Sequence, residues 1–151
     1  MEQDLEYRRQ LVEKYRKEVD PLLRYISWFE EKRGKNVSSI YSGNDVASHS
    51  VAFPVYDSTL MGFVKAVQRT TLTDRNYVYT YSRYRIKDAS DELKLIEGVT
   101  LKNIEVLTAI LSKYICGGMT KGLLWSQATE DGIFLAILLK FKELFDLWDQ
   151  Q

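Results

Sequence analysis

The segment that most constrains the fold is the last one. Ile133, Ile137, Phe141, Leu144 and Trp148 recur at helical spacing, and Phe134, Leu138 and Phe145 widen the stripe they form. A helix that is apolar around so much of its circumference has to be surrounded by other helices, because one partner covers only a narrow strip of it. This places the segment at the centre of a helical bundle. Its most apolar run, Ile133 to Leu139, is seven residues long. That falls far short of the ~20 needed to cross a bilayer, so it reads as a core helix. With 151 residues in total, the chain is expected to be a single all-α domain, since two domains of half this length would each be core-poor.

The rest of the chain supplies the surrounding helices. Residues 1–34 form an N-terminal helical arm, as two stacked helices or one kinked helix, with Leu5, Val12, Tyr15, Val19, Leu22, Ile26 and Phe29 on one stripe. Asp20-Pro21 suits an N-cap followed by a first helical position. This arm is expected to pack on a bundle made from residues 57–151. Between them, residues 35–56 lose the periodicity and carry five serines, Gly43-Asn44-Asp45 and Pro54, which predicts a long irregular connection. A short extended piece at Ser50 to Phe53 is compatible with that connection.

Asp57 is placed to cap a helix over Leu60, Phe63, Val64 and Val67, and Thr73 or Asp74 to open another through Ile86. In the latter, Tyr77, Tyr79 and Tyr81 alternate as in a strand, but Tyr77, Tyr81 and Tyr84 also share one helical face, and helical neighbours favour the helix. Ser90 is expected to cap a short helix ending near Gly98. Thr100 should cap one with Ile104, Leu107, Leu111 and Tyr114 inward, ended by Gly117-Gly118. Thr120 is read as an N-cap with a staple of Met119 and Leu124, and Asp131 as the start of the last helix. No repeat of fixed period occurs.

Lys and Arg number 21 against 21 Asp and Glu, so no net field draws in nucleic acid or an anionic bilayer, and such a partner must be met by a local patch. The single cysteine, Cys116, cannot form an internal disulfide and suits a reducing compartment. The acidic start Met1-Glu2-Gln3-Asp4 is unlike a signal peptide, and a cytoplasmic protein with no membrane partner is expected.

Candidate sites are few. A hydrolase built on Cys116 needs a nearby base, and the only histidine, His49, lies in the polar connection. Cys116 reads instead as a small apolar residue at a helix end. One His and one Cys cannot supply a zinc site, so no metal is expected. The acid pairs Glu30-Glu31, Asp91-Glu92 and Glu130-Asp131 are adjacent residues at helix ends and read as solvated or dipole partners. Gly117-Gly118-Met119-Thr120-Lys121-Gly122 lacks phosphate-loop spacing and follows a helix rather than a strand. No cofactor is therefore expected. The one departure from neutrality is Lys65 to Lys87, where Lys65, Arg69, Arg75, Arg83, Arg85 and Lys87 face a single acid, Asp74. Within it Arg75, Tyr77, Tyr79, Tyr81, Arg83 and Tyr84 are the candidate contacts for a ligand or nucleic acid. Cations suit phosphates and rings suit bases, although tyrosines at helical spacing also serve as boundary residues of a core.

Phe53-Pro54-Val55-Tyr56 leading into Leu60 and Phe63-Val64, the tyrosine-rich Asp74 to Tyr84, Leu107-Thr108-Ala109-Ile110, Cys116-Gly117-Gly118, and Glu130-Asp131-Gly132-Ile133 with Ile137-Leu138 follow one another in a fixed order. In this the chain resembles a bacterial family of small all-α proteins catalogued only as a domain of unknown function. The resemblance covers roughly the last two thirds and implies a helical fold in a bacterial cytoplasm. Members often carry an Arg and an acid-plus-Arg pair before the glycine where this chain reads Ser112-Lys113-Tyr114-Ile115-Cys116-Gly117-Gly118, so no site is transferred. Elimination leaves a non-enzymatic helical binding or assembly domain, with an unknown protein or small-molecule partner held by residues 35–56 and the tyrosine-rich region. A nucleic-acid-binding module using residues 65–87 and an enzyme using Cys116 or carboxylates are the alternatives. The narrow stripe of residues 2–19 admits a monomer or a homodimer.

Overall fold

The computed structural model describes residues 2–35, 38–41, 53–120 and 123–150, with side chains for 4–35, 57–120 and 123–150. The fold is all-α. Its helices are α1 (Glu2–Leu23), α2 (Ile26–Lys32), α3 (Ser58–Gln68), α4 (Tyr77–Tyr84), α5 (Ala89–Glu97), α6 (Glu105–Gly117), α7 (Leu124–Glu130) and α8 (Ile133–Asp149). A two-stranded antiparallel ribbon of β1 (Ser38–Tyr41) and β2 (Phe53–Tyr56), paired from Ser38 with Tyr56 to Tyr41 with Phe53, lies within the long connection. The extended piece begins at Phe53 rather than ending there, and Ser50 to Ala52 lie outside the described residues.

Helix α8 is the axle that its sequence demands. Ile133, Phe134, Ile137, Leu138, Phe141, Leu144 and Phe145 are all buried, and the helix packs against α1, α2, α5, α6 and α7. Phe134 joins an aromatic knot with Phe29 of α2 and Phe63 of α3, whose ring centres lie 4.8 to 5.6 Å apart in edge-on or tilted pairs. Val12, Val19, Leu22 and Phe29 belong to the same core, so from Val12 onward the N-terminal stripe is used within its own chain.

Several helix starts differ from expectation for reasons of local chemistry. Asp20-Pro21 does not open a helix. Helix α1 runs through Pro21, and the break falls at Arg24 and Tyr25, where the Tyr25 N–H donates to the Leu22 carbonyl at 3.1 Å. Proline costs one rung of the last turn, and burial of Val19 and Leu22 on either side outweighs it. Helix α5 is capped by Asp88 rather than Ser90, the carboxylate accepting from the Asp91 N–H at 2.9 Å. Asp88 has the extended backbone of an N-cap, whereas Ser90 is already inside the helix. Asp74 turns the chain by accepting from the Asn76 N–H, so α4 starts at Tyr77, and Arg85 at φ +54° ends it before Ile86. Thr120 caps nothing. Its hydroxyl donates back to the Gly117 carbonyl, and α7 begins after Leu123, itself at φ +70°. Asp131 closes α7, and Gly132 at φ +78° makes the turn into α8. Asp57 and Thr100 cap as expected, the latter through a capping box with Asn103 that opens a single 3-10 turn before α6.

Candidate functional site: the tyrosine helix and a buried carboxylate

The alternating tyrosines are helical, and the helix sorts them by face. No residue of α4 is buried. Tyr77 and Tyr81, one turn apart, are half-buried and meet edge-on with ring centres 6.2 Å apart. Tyr79 points the other way and is 73% exposed, beside Val78. Tyr84 in the last turn is exposed under the Arg83 guanidinium, which lies 5.8 Å from its ring centre. The six candidate residues therefore do not converge. Arg75, Tyr79, Arg83 and Tyr84 face solvent, while Tyr81 is turned inward.

Tyr81 turns towards Glu92 of α5, which is fully buried. This overturns the reading of Asp91-Glu92 as a solvated pair. Asp91 does lie at the surface, where it accepts from the Lys87 N–H at 3.0 Å. Glu92 instead receives hydrogen bonds from the hydroxyls of Tyr81 and Tyr114 and from the Lys113 ammonium at 3.1 Å. The ammonium also sits over both rings, 5.1 Å from the centre of Tyr81 and 4.7 Å from that of Tyr114. A carboxylate taken out of water is costly unless its lone pairs are filled, and three donors, one of them charged, fill them. The phase of α5 carries the signal for this residue: Glu92, Ile96 and Val99 stand at i, i+4 and i+7, and all three are buried.

Burial, and then the bond to Glu92, push both the Tyr81 and Tyr114 hydroxyls well above the usual phenol range. They are fixed as protonated donors, and a phenol so held cannot act as a base near neutral pH. The network is a clamp that ties α4 to α5 and α6.

The glycine turn has a packing explanation. Gly118 lies beneath the Trp125 indole, whose N–H donates to the Tyr114 carbonyl at 2.8 Å, and a Cβ on Gly118 would stand 2.0 Å from that nitrogen. Cys116, a free thiol, is half-buried at the end of α6. His49, Lys121 and Gly122 lie outside the described residues. Among the described residues no three of His, Cys, Asp and Glu come together as metal ligands, and no helix is long and apolar enough to cross a membrane.

Fold and site together define an all-α bundle with a polar clamp beneath a surface tyrosine helix. No family model, no curated protein and no solved structure matches the chain.

Proposed function

We propose that the chain is a non-enzymatic helical binding domain whose contact face is the outer side of α4, met by an acidic segment of a protein partner. Membership of the bacterial family it resembles, and residence in the cytoplasm, are parts of the same proposal. One observation carries it: α4 adds no buried residue to the fold yet keeps Tyr79 73% exposed. Arg75, Arg83, Arg85 and Lys87 surround it, and none forms an ion pair among the described residues. An exposed ring flanked by free guanidinium groups suits hydrogen-bonded, stacked recognition of carboxylates.

The same cations favour a second reading, in which single-stranded nucleic acid stacks a base on Tyr79 and pairs its phosphates with the arginines. Fluorescence anisotropy with a labelled poly-glutamate peptide and a labelled single-stranded oligonucleotide, each at low and moderate salt, separates the two. Peptide binding that Tyr79→Ala and Arg83→Glu abolish without changing the melting curve supports the leading reading. Oligonucleotide binding with a steep salt slope assigns the second. Binding of neither, or binding untouched by both substitutions, refutes α4 as a contact face.

A further inference from the structure

Three of the most exposed large hydrophobic side chains, Leu5 (51%), Tyr7 (65%) and Leu147 (52%), belong to the two helices that meet at one end of the bundle. There α1 runs antiparallel to α8. Phe29 of α2 packs near Phe134, Tyr15 lies 6.0 Å from Phe141, and Arg16 pairs with Asp149 at 2.7 Å. Both helices rise about 1.5 Å per residue, so the turns of α1 before Arg8 lie level with the end of α8 or beyond it. Helix α1 thus has two parts. From Val12 its stripe is buried in its own core, whereas its first two turns leave theirs uncovered.

Asp4, Tyr7, Arg8, Leu11 and Tyr15 form one helical face, which lines a groove of about 610 Å³ against Leu101, Lys102, Ile104 and Glu105. On the other side of Arg8 a second groove, of about 540 Å³, opens over Leu144, Leu147 and Trp148. Arg8 and Lys102 border both. Asp4, Arg8 and Lys102 form no ion pair among the described residues, although Asp4 and Arg8 stand at the i, i+4 spacing that permits one.

We propose that this end of the molecule is a homodimer interface in which the first two turns of α1 from two copies cross antiparallel about a two-fold axis. A two-fold near Glu6 sets Asp4 of each chain against Arg8 of the other and brings Leu5 opposite Tyr7, so each unpaired charge finds its opposite twice. Charge complementarity selects a second copy over a small anionic ligand. The grooves carry both signs, with Glu97, Glu105 and Glu143 beside Arg8, Lys102 and Lys140. The exposed Leu5 and Tyr7 belong to a projecting helix, whereas ligand pockets keep their apolar groups at the bottom of a cleft.

Charge reversal tests the contact. Sedimentation of the full chain is expected to show a dimer, and Asp4→Arg or Arg8→Asp alone should each raise the dissociation constant at least ~10-fold, because each creates two like-charge contacts. Mixing the two variants should restore a dimer containing one of each, since every facing pair is then Arg with Asp. A wild-type chain that stays monomeric at high micromolar concentration overturns the proposal. So does a dimer that both reversals leave intact, or one that mixing fails to restore. A monomer whose melting temperature rises with added decanoate would give the grooves to an amphiphilic ligand and overturn it equally. Melting curves of the two variants, expected to match the wild type, separate loss of pairing from loss of fold.

Discussion

Replacing Gly118 by alanine is expected to destabilise the protein, against the ordinary effect of that exchange. Gly118 has helical backbone, φ −67° and ψ −15°, where an added methyl costs no strain and usually stabilises by ~0.4–1 kcal/mol through the unfolded chain. Here the methyl would lie 2.0 Å from Trp125 Nε1 and 2.4 Å from Cε2. The indole is buried between α6 and α7 and has to move by more than an ångström, which breaks its 2.8 Å hydrogen bond to the Tyr114 carbonyl. Overpacking costs ~1–3 kcal/mol and the lost bond about 1 more, so the net loss is roughly 2–3 kcal/mol after the entropic gain is subtracted. For a domain of this size that lowers the melting temperature by ~4–10 °C. Urea denaturation followed by circular dichroism measures it, with Trp125→Leu as the partner substitution in a double-mutant cycle. A Gly118→Ala protein as stable as the wild type, or a coupling energy with Trp125 near zero, refutes the reasoning.

Phe141→Ala, which empties a fully buried site stacked on Tyr15 and Phe145, should cost ~3–5 kcal/mol in chemical denaturation, and Ile137→Ala ~2–5. A loss below ~0.5 kcal/mol at either position would mean that this face of α8 is not core. Alkaline titration tests the clamp. Tyr81 and Tyr114 ionise with more difficulty in the fold than at the model value of 10.0. The stability they supply is therefore complete below pH 10 and is lost above it, as the unfolded chain sheds protons that the folded one keeps. The expected slope is up to ~1.4 kcal/mol per pH unit for each tyrosine, and Tyr81→Phe should remove one proton's worth of it. Denaturation midpoints that stay flat from pH 9 to about 11 would show that the two hydroxyls are not held as donors.

What the sequence discloses tracks how local each determinant is. The centrality of α8 follows from its own stripe, and the Asp57 and Thr100 caps follow from bonds to residues two or three places on. Where two polar residues compete for one cap, as Asp88 and Ser90 do, the spacing alone does not choose between them. Glu92 was harder to read because its partners come from α4 and α6, 11 to 22 positions away, and only the fold brings them together. The tyrosines were legible as a cluster but not as two populations. Which ring turns inward depends on where that carboxylate sits. The glycine pair read as a helix end, and the need for glycine at Gly118 emerged only with Trp125 closing over it.

The division of labour within α4 bears directly on function. A fully buried ion pair is a weak source of stability, and a well-packed apolar set in its place is often as stable or more so. What the Glu92 clamp supplies is geometry: Tyr81 is held by a directed bond, so α4 sits in one rotation about its axis, and the opposite face is fixed outward. Tyr79 and Val78 point to solvent as a consequence of that rotation, on a helix whose other residues contribute nothing to the core. Stability therefore accounts for Tyr81 and leaves the Tyr79 face unexplained. A large ring kept in water among unpaired arginines is the arrangement expected of a surface that meets a partner. The clamp makes that surface rigid before the partner arrives, which lowers the ordering cost of binding.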